Sequence, residues 1–189
     1  MYIGFTGHRP NKLYGYDLTD DRYKKLYETI RETLLKVCYE LGDRCEEHKC
    51  ITGGALGFDT LAFNVIDEIK DDKFFLINNI LAIPFKEQDI KWSKECKEKY
   101  NKMINIADKV IYVDTIDSYK VNEDIPIGKY HYKKLLNRNK FIGDISDVLI
   151  ACCTDLKSGT GNCIKYFKKV HPNGKVYLID PKTYIVNVL

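Results

Sequence analysis

Residues 49–59 read Lys49-Cys50-Ile51-Thr52-Gly53-Gly54-Ala55-Leu56-Gly57-Phe58-Asp59. The first four residues are typical of a short strand, and glycines follow at positions 53, 54 and 57. Beyond them, apolar residues recur at helical spacing, at Leu61, Ala62, Val65, Ile66 and Ile69. The stretch therefore predicts a strand that passes through a glycine-rich turn into a helix.

The same alternation of strand and helix runs along the rest of the chain. Apolar runs predict further strands at Tyr2–Thr6, Phe74–Pro84, Val110–Val113, Ser146–Cys153 and Val176–Ile179, with an edge strand at Tyr184–Val188. Helical spacing predicts helices over residues 20–41, 87–104, 131–143 and 163–169, with a glycine-rich turn at 155–162 and an irregular loop at 114–129. This order is typical of a layered α/β fold with a mainly parallel sheet.

Composition places the chain among globular proteins. It has 189 residues, of which 44% are hydrophobic, so we expect residues 1–189 to form a single domain around one core. No apolar run approaches the ~18 residues of a membrane span, and the N-terminus lacks the basic region of a signal peptide. We therefore expect a cytoplasmic protein with no membrane partner.

Cysteine usage points to a reducing compartment. The chain has seven cysteines, an odd number with no Cys-x-x-Cys pair, which favours free thiols. Cys45, His48 and Cys50 lie close together, but a structural zinc ion needs four ligands and no second pair accompanies them. The sequence therefore predicts no metal site, and it identifies no cofactor.

The charge balance does not favour nucleic acid as a partner. The net charge is only +3, whereas a dedicated nucleic-acid binder usually has a domain pI above about 9 and a clustered basic face. One basic cluster comprises Lys129, His131, Lys133, Lys134, Arg138 and Lys140. We expect most of this cluster to be the solvated face of a helix.

Three predicted strands end in loops that contain glycine. The loops are Thr6–Pro10, Thr52–Gly57 and Ser158–Asn162, and a parallel sheet would bring all three to one edge. A helix N-terminus offers free N–H groups and a partial positive charge, and glycine lets an anion approach the backbone. One such loop is more often only a tight turn, but three at one edge predict a phosphate-containing ligand. Arg9 could then clamp the phosphate, and Thr160 and Asn162 could bond phosphate or ribose oxygens.

Two common nucleotide motifs are absent from these loops. Gly53-Gly54-x-x-Gly57 lacks the G-x-G-x-x-G spacing, and no acidic residue ends a strand about 20 residues later to hold a ribose. The chain also has no G-x-x-x-x-G-K-[ST] loop. The sequence therefore argues against a hydride-transfer enzyme and excludes a Walker-type NTPase.

Five motifs occur in order along the chain: Thr6–Pro10, Gly53–Asp59, Pro84-Phe85 with Gln88 and Trp92, Arg138-Asn139, and Ser158–Asn162. Together they resemble the YpsA-like proteins of the SLOG superfamily, relatives of the LOG phosphoribohydrolases and of the DNA-processing protein DprA. The resemblance covers about residues 1 to 180. It implies a Rossmann-like three-layer sandwich with a pocket for a nucleotide-derived molecule. Related SLOG modules in antiviral defence sense NAD-derived signals such as cyclic ADP-ribose isomers.

The loops and the resemblance together define a candidate ligand site at the carboxyl edge of the sheet. It comprises Thr6, Gly7, His8, Arg9, Gly53, Gly54, Ala55, Leu56, Gly57, Asp59, Pro84, Phe85, Arg138, Asn139, Ser158, Gly159, Thr160, Gly161 and Asn162. We expect His8 to donate to a phosphate rather than to act as a general acid or base. Phe85 could stack on a base or belong to the core, and Arg138 could bind the ligand or form a structural salt bridge.

The LOG relatives cleave a base from a nucleotide with a P-G-G-x-G-T-x-x-E motif. In this chain no glutamate follows Gly159-Thr160, and Asp59 is better explained as a partner of a helix dipole than as its substitute. We therefore expect a sensor or a sequestering protein, such as a sponge for an antiviral defence signal. Two alternatives stay open: a nucleotide-processing enzyme that uses His8 and Asp59, and a DprA-like nucleic-acid or protein-partner module. Homo-oligomerisation is compatible with each function.

Overall fold

The computed structural model describes residues 1–42, 47–70, 75–121 and 124–189. Its centre is a seven-stranded sheet with the order β4-β3-β2-β1-β5-β6-β7. The strands are β1 (Tyr2–Gly7), β2 (His48–Thr52), β3 (Ile77–Ile83), β4 (Lys109–Tyr112), β5 (Val148–Cys152), β6 (Lys175–Ile179) and β7 (Val186–Val188). All neighbouring strands pair parallel except β7, which runs antiparallel to β6 at one edge. The predicted α/β fold with a mainly parallel sheet is confirmed.

Helices connect the strands and begin at defined caps. Within the described ranges they are α1 (Asp21–Leu41), α2 (Phe58–Ile69), α3 (Lys94–Ile106), α4 (Tyr132–Ile145) and α5 (Gly159–Val170). The side chains of Asp20, Ser93 and Ser158 cap α1, α3 and α5, each accepting a hydrogen bond from a first-turn N–H group. Such caps satisfy donors that have no partner inside the helix, and so they fix where each helix begins.

Apolar cores lie on both faces of the sheet. Because side chains alternate along a strand, β5 supplies Val148 and Ile150 to the core with α1 and α2, and Leu149 and Ala151 to the core with α4 and α5. All four of these side chains are at least 96% buried. The result is three layers, helices on either side of the sheet, as the sequence predicts.

The strand order changes direction at β1. The chain builds β2, β3 and β4 outward on one side of β1, and then crosses back to place β5 on the other side. In open α/β sheets such a change leaves a crevice at the carboxyl ends of the strands, where ligands bind. The loops after β1 and β5 therefore border that crevice.

Two helices begin four or more residues from their predicted starts. Helix α3 begins at Lys94 rather than Glu87, because Ser93 caps it and residues 86–92 form hydrogen-bonded turns. Helix α5 begins at Gly159 rather than Cys163, because Ser158 caps it and the glycine-rich segment forms its first turn. Strand β3 begins at Ile77, and Phe74, where the sequence placed its start, lies outside the described residues.

A buried ion pair holds part of the 114–129 loop against the body of the protein. Lys134 Nζ donates to Asp114 Oδ2 at 2.7 Å and to the Pro126 carbonyl at 2.7 Å, and the Gly128 N–H donates to the same carboxylate oxygen. Both charged side chains are 2% exposed. Lys134 and Arg138, the latter 6% exposed, are thus the buried members of the basic cluster, whereas Lys129, Lys133 and Lys140 are exposed, as expected for most of it.

Cysteines in the described part of the chain are all free thiols, at Cys38, Cys50, Cys96, Cys152, Cys153 and Cys163. Burial raises the pKa of the Cys50 and Cys152 thiols well above the ordinary value, which keeps them protonated and unreactive. Cys45 lies outside the described residues, and His48 is fully buried in β2. The described residues contain no cluster of three potential metal ligands and no helix long and apolar enough to cross a membrane.

Candidate functional site

A cavity of about 430 Å³, here called the edge cavity, opens at the carboxyl ends of β1 and β5 beneath α4. It brings together more than half of the residues named from the sequence: Thr6, Gly7, His8, Arg9, Ala55, Asp59, Arg138, Asn139, Ser158, Gly159 and Thr160. It also contains five residues that the sequence did not single out: Asn11, Lys12, Tyr132, Leu135 and Leu136. The volume lies within the 300–1,000 Å³ typical of small-molecule sites.

Helix α5 aims its N-terminus at the edge cavity. The Ser158 side chain accepts from the Gly161 N–H at 3.1 Å, while the first-turn N–H groups of Gly159 and Thr160 have no intrahelical partner. A Cβ built on Gly159 would meet no atom within 4 Å, so the approach to this backbone is open. The helix sequence Gly159–Val170 contains no Asp or Glu and has three lysines. These features suit an anion at the start of α5.

Helix α2 contrasts with α5 at the same edge. Its Phe58 N–H donates to the His8 carbonyl at 3.1 Å, and its Thr60 N–H donates to the Ala55 carbonyl at 3.1 Å. Both bonds occupy first-turn donors of α2, one with the loop after β1 and one with the loop that precedes α2 itself. Ala55 and Asp59 at the start of α2 line the edge cavity, but two N–H groups of its first turn are already engaged.

A buried ion pair forms the floor of the edge cavity. Arg138 Nη1 lies 3.0 Å from Asp59 Oδ2, and the two residues are 6% and 4% exposed. The same carboxylate oxygen accepts a long hydrogen bond from the Ala55 N–H, at 3.4 Å. Arg138 Nε is buried and has no hydrogen-bond partner among the described residues. Asp59 is therefore committed to a cation, and Arg138 retains an unused donor.

Arg9 is the second cation of the edge cavity, and it is unpaired. No described residue forms an ion pair or a hydrogen bond with its guanidinium. Burial and the neighbouring charge of Arg138 lower the pKa of Arg9, an effect that Asp59 opposes. Two guanidinium groups thus share one carboxylate, which leaves a net positive charge at the site. Such a site attracts an anion.

His8 is held in one tautomer by the loop after β5. Its Nε2 accepts from the Thr154 backbone N–H at 3.1 Å, so in the neutral ring the proton lies on Nδ1. Burial, followed by the charge of Lys12, lowers the pKa of this histidine, and Asp155 opposes the change. The ring is therefore neutral near pH 7, and Nε2 is not available for proton transfer.

Several glycines named from the sequence are required by close packing or by backbone conformation. A Cβ on Gly53 would lie 0.9 Å from Arg138 Nη1, and one on Gly161 would lie 2.3 Å from the Leu156 carbonyl oxygen. Gly54 and Gly57 have φ angles of +62° and +93°, in the left-handed region that favours glycine. These positions, together with Leu56, Pro84, Phe85 and Asn162, lie outside the edge cavity.

One further cavity adjoins the edge cavity, and a third adjoins that second one. The aromatic cavity, of about 180 Å³, is lined by Phe85, Trp92 and Tyr130, and it shares Arg9 and Leu135 with the edge cavity. The apolar cavity, of about 370 Å³, lies between the first loop and α3, and it contains Leu56 and Gly57. Trp92 lines both, with its ring 5.1 Å from that of Tyr100.

The residues missed on α4 carried a pattern in the sequence. Tyr132, Leu135 and Leu136 recur at helical spacing with Asn139, which the sequence had named, and so share one face of the helix with it. That spacing alone does not say whether the face meets the core or a cavity. Only the crossing of α4 over the edge of the sheet makes it a wall of the edge cavity.

Comparison with known proteins supports the fold and identifies the family. The sequence model of the YpsA family, described as the YspA SLOG family, matches residues 3–169. The uncharacterized SPbeta prophage-derived protein YoqJ of Bacillus subtilis (strain 168) is 38% identical over 152 residues, which are 80% of this chain and 88% of that protein.

Two solved structures of DNA processing protein A share the fold. The protein from Helicobacter pylori, whose structure is described for its single-stranded DNA binding mode, has a TM-score of 0.53 and 17% identity. The protein from Streptococcus pneumoniae has a TM-score of 0.57 and 13% identity. This chain is covered to 95% and 94%, but it spans only 65% and 50% of the lengths of those chains. At such identities the likeness shows the Rossmann-like fold alone. From its sequence match over residues 3–169, the chain belongs to the YpsA family of SLOG proteins.

Proposed function

We propose that this chain, acting as a single domain, binds a phosphorylated, nucleotide-derived ligand in the edge cavity. The observation that carries the proposal is that Arg9, which has no partner among the described residues, and the open N-terminus of α5 line the same cavity. A phosphate group would supply the negative charge that Arg9 and Arg138 together lack. Thr6, Asn139 and Thr160 would supply hydroxyl and amide groups for a ribose.

The site is better suited to binding its ligand than to cleaving it. His8 accepts through Nε2 from Thr154, and Asp59 is paired with Arg138, so both candidate catalytic groups are already engaged. Cleavage of an N-glycosidic bond needs a carboxylate near the oxocarbenium-like centre. Helix α5 offers none, because the stretch Gly159–Val170 has no acidic residue.

Binding without cleavage suits a sensor or a sequestering protein. The relative YoqJ is described as prophage-derived. A protein of this family carried by a prophage, holding an ADP-ribose or cyclic ADP-ribose type of signal without destroying it, would act as a sponge against host defence. We propose this role for the present chain.

Native mass spectrometry tests the proposal directly. The protein is incubated with AMP, NAD, ADP-ribose and cyclic ADP-ribose isomers, in parallel with the variants Arg9→Gln and Arg31→Gln. Arg31 is the matched control, since it lies on α1 and pairs with Glu68 at the surface. We expect an intact ligand mass on the wild type and on Arg31→Gln, and its loss from Arg9→Gln.

Two results would count against this function. A ligand recovered with the mass of a base or a phosphate missing would show that the protein is an enzyme. Retention of the ligand by Arg9→Gln would place the site elsewhere. Bound ligand should also stabilise the fold by about 2.7 kcal/mol at a hundredfold excess over Kd, which a thermal shift detects.

A second candidate function is binding of single-stranded nucleic acid. Tyr130 and Tyr132 are 61% and 55% exposed beside the cavities. Lys91 Nζ lies 5.9 Å from the centroid of the Tyr130 ring, and Lys133 follows Tyr132 in the sequence. Exposed aromatic rings and lysines are what single strands use for stacking and for phosphate contacts. The DprA structure from Helicobacter pylori is described for such binding.

Fluorescence anisotropy with a labelled dT oligonucleotide separates the two functions. Nucleic-acid binding predicts an affinity that falls steeply between about 50 and 200 mM salt and is lost in Tyr132→Ala. The nucleotide proposal predicts no binding of the oligonucleotide at about 150 mM salt.

A further inference from the structure

The aromatic cavity lies next to the edge cavity. Both include Arg9 and Leu135 in their walls, so a ligand that contacts Arg9 in the edge cavity lies beside the second space. The two spaces differ in chemistry. Cations and the start of α5 border the first, whereas Phe85, Trp92 and Tyr130 border the second.

We propose that the aromatic cavity is the base subsite of this chain, so that its ligand is a nucleotide with the phosphate in the edge cavity and the base against Tyr130. The proposal rests on the proposed function and adds the position and chemistry of the second half of the ligand. Arg9 lies at the junction and contacts both halves.

The aromatic rings are arranged to receive a planar group. Phe85 is 1% exposed and meets Tyr130 edge to face, with ring centroids 5.7 Å apart at 88°. Tyr130 itself is 61% exposed, although Lys91 Nζ lies 5.9 Å from its ring centroid. The buried ring thus holds the exposed one in place and leaves its surface available for stacking. Base–aromatic stacking of this kind is tolerant of base identity.

The inner wall of the aromatic cavity carries an unsatisfied acceptor. Gln88 is 8% exposed, and its Nε2 donates to the Gly54 carbonyl at 3.0 Å, which fixes the orientation of the amide. Its Oε1 is buried and receives no hydrogen bond from any described residue. Amino and imino groups of bases are the donors that such an oxygen lacks.

The chain provides its own reporter for this subsite. Trp92 is the single tryptophan of the sequence, and it lines the aromatic cavity. A base that enters the cavity approaches the indole and changes its emission. A sugar phosphate held only in the edge cavity has no aromatic group and leaves the emission unchanged.

The test compares AMP, ADP-ribose and ribose 5-phosphate by calorimetry and by Trp92 fluorescence. We expect AMP and ADP-ribose to bind at least about tenfold more tightly than ribose 5-phosphate, and only these two to change the emission. Tyr130→Ala should remove about tenfold of the AMP affinity and leave that for ribose 5-phosphate unchanged. Tyr39→Ala, a control at a tyrosine that is 66% exposed on α1, should change neither.

The outcomes separate this inference from the function on which it rests. Equal binding of AMP and ribose 5-phosphate with constant Trp92 emission would overturn the base subsite and leave the phosphate site standing. An AMP affinity unaffected by Tyr130→Ala would likewise overturn it. If none of the three compounds binds, the proposed function fails, and the inference fails with it.

Discussion

The guanidinium of Arg138 occupies the space that a side chain on Gly53 would need. A Cβ at that glycine would lie 0.9 Å from Arg138 Nη1 and 2.7 Å from Asp59 Oδ2. Glycine at this position therefore lets α4 deliver a cation to a carboxylate at the start of α2. The ion pair joins two elements that are distant in sequence, and it forms the floor of the edge cavity.

Gly53→Ala should destabilise the fold by displacing Arg138. A buried carboxylate that loses its cation costs about 3–5 kcal/mol, and Asp59 is 4% exposed. Urea unfolding followed by circular dichroism measures the change. An unfolding free energy equal to that of the wild type would show that Arg138 can shift and keep Asp59 paired without the space at Gly53.

The two arginines of the cavity should behave in opposite ways. Arg138→Met leaves Asp59 unpaired and should cost about 3–5 kcal/mol. Arg9→Met removes an unpaired cation from beside another cation, so the free energy of unfolding should be unchanged or higher, while ligand binding is lost. Denaturant unfolding and calorimetry on both variants test this. A large loss of stability in Arg9→Met would mean that Arg9 has a structural role.

Two glycines at the start of α5 form a matched pair. Gly159→Ala places a methyl group in open space and should raise stability by up to about 1 kcal/mol, yet it should weaken binding by narrowing the approach to the helix start. Gly161→Ala meets the Leu156 backbone at 2.3–2.4 Å and should cost roughly 1–3 kcal/mol. Thermal unfolding ranks the two variants, and full ligand affinity in Gly159→Ala would argue against a phosphate at this terminus.

His8 should make stability depend on mild acid. Its pKa is lower in the folded protein than the ordinary value of 6.5, so the unfolded chain takes up a proton first as the pH falls. The contribution of the neutral His8 ring to the free energy of unfolding is complete above pH 6.5, and it is lost as the pH falls below that value. His8→Gln should therefore flatten this part of the stability profile, measured by urea unfolding at each pH. If the stability of His8→Gln fell with pH in parallel with that of the wild type, the lowered pKa of His8 would be contradicted.

The pair Lys134–Asp114 should hold the loop that precedes α4. Lys134→Met leaves Asp114 buried without its cation and should cost about 3–5 kcal/mol. It should also speed hydrogen exchange at Gly128, whose N–H donates to that carboxylate. Lys133→Met, at an exposed neighbour, is the control and should change neither quantity. Unchanged exchange at Gly128 would mean that other contacts hold the loop.

Much of the fold followed from local patterns in the sequence. The alternation of strand and helix and the positions of the glycine loops depend on residues close together in the chain. The site was harder to predict because its contacts join residues that lie far apart in the sequence. The sequence suggested Gly53 as a phosphate-binding glycine, but its role next to Arg138 depends on α4 crossing the sheet edge. The unpaired state of Arg9 and the tautomer of His8 likewise arise only from tertiary contacts.

The most direct test of the central claim is a crystal structure of the protein with ADP-ribose. We expect phosphate oxygens within hydrogen-bond distance of the Arg9 guanidinium and of the Gly159 or Thr160 backbone N–H groups, with the adenine against Tyr130. A saturated complex in which the phosphates lie away from Arg9 and the start of α5, or crystals in which the edge cavity stays empty at saturating ligand, would contradict it.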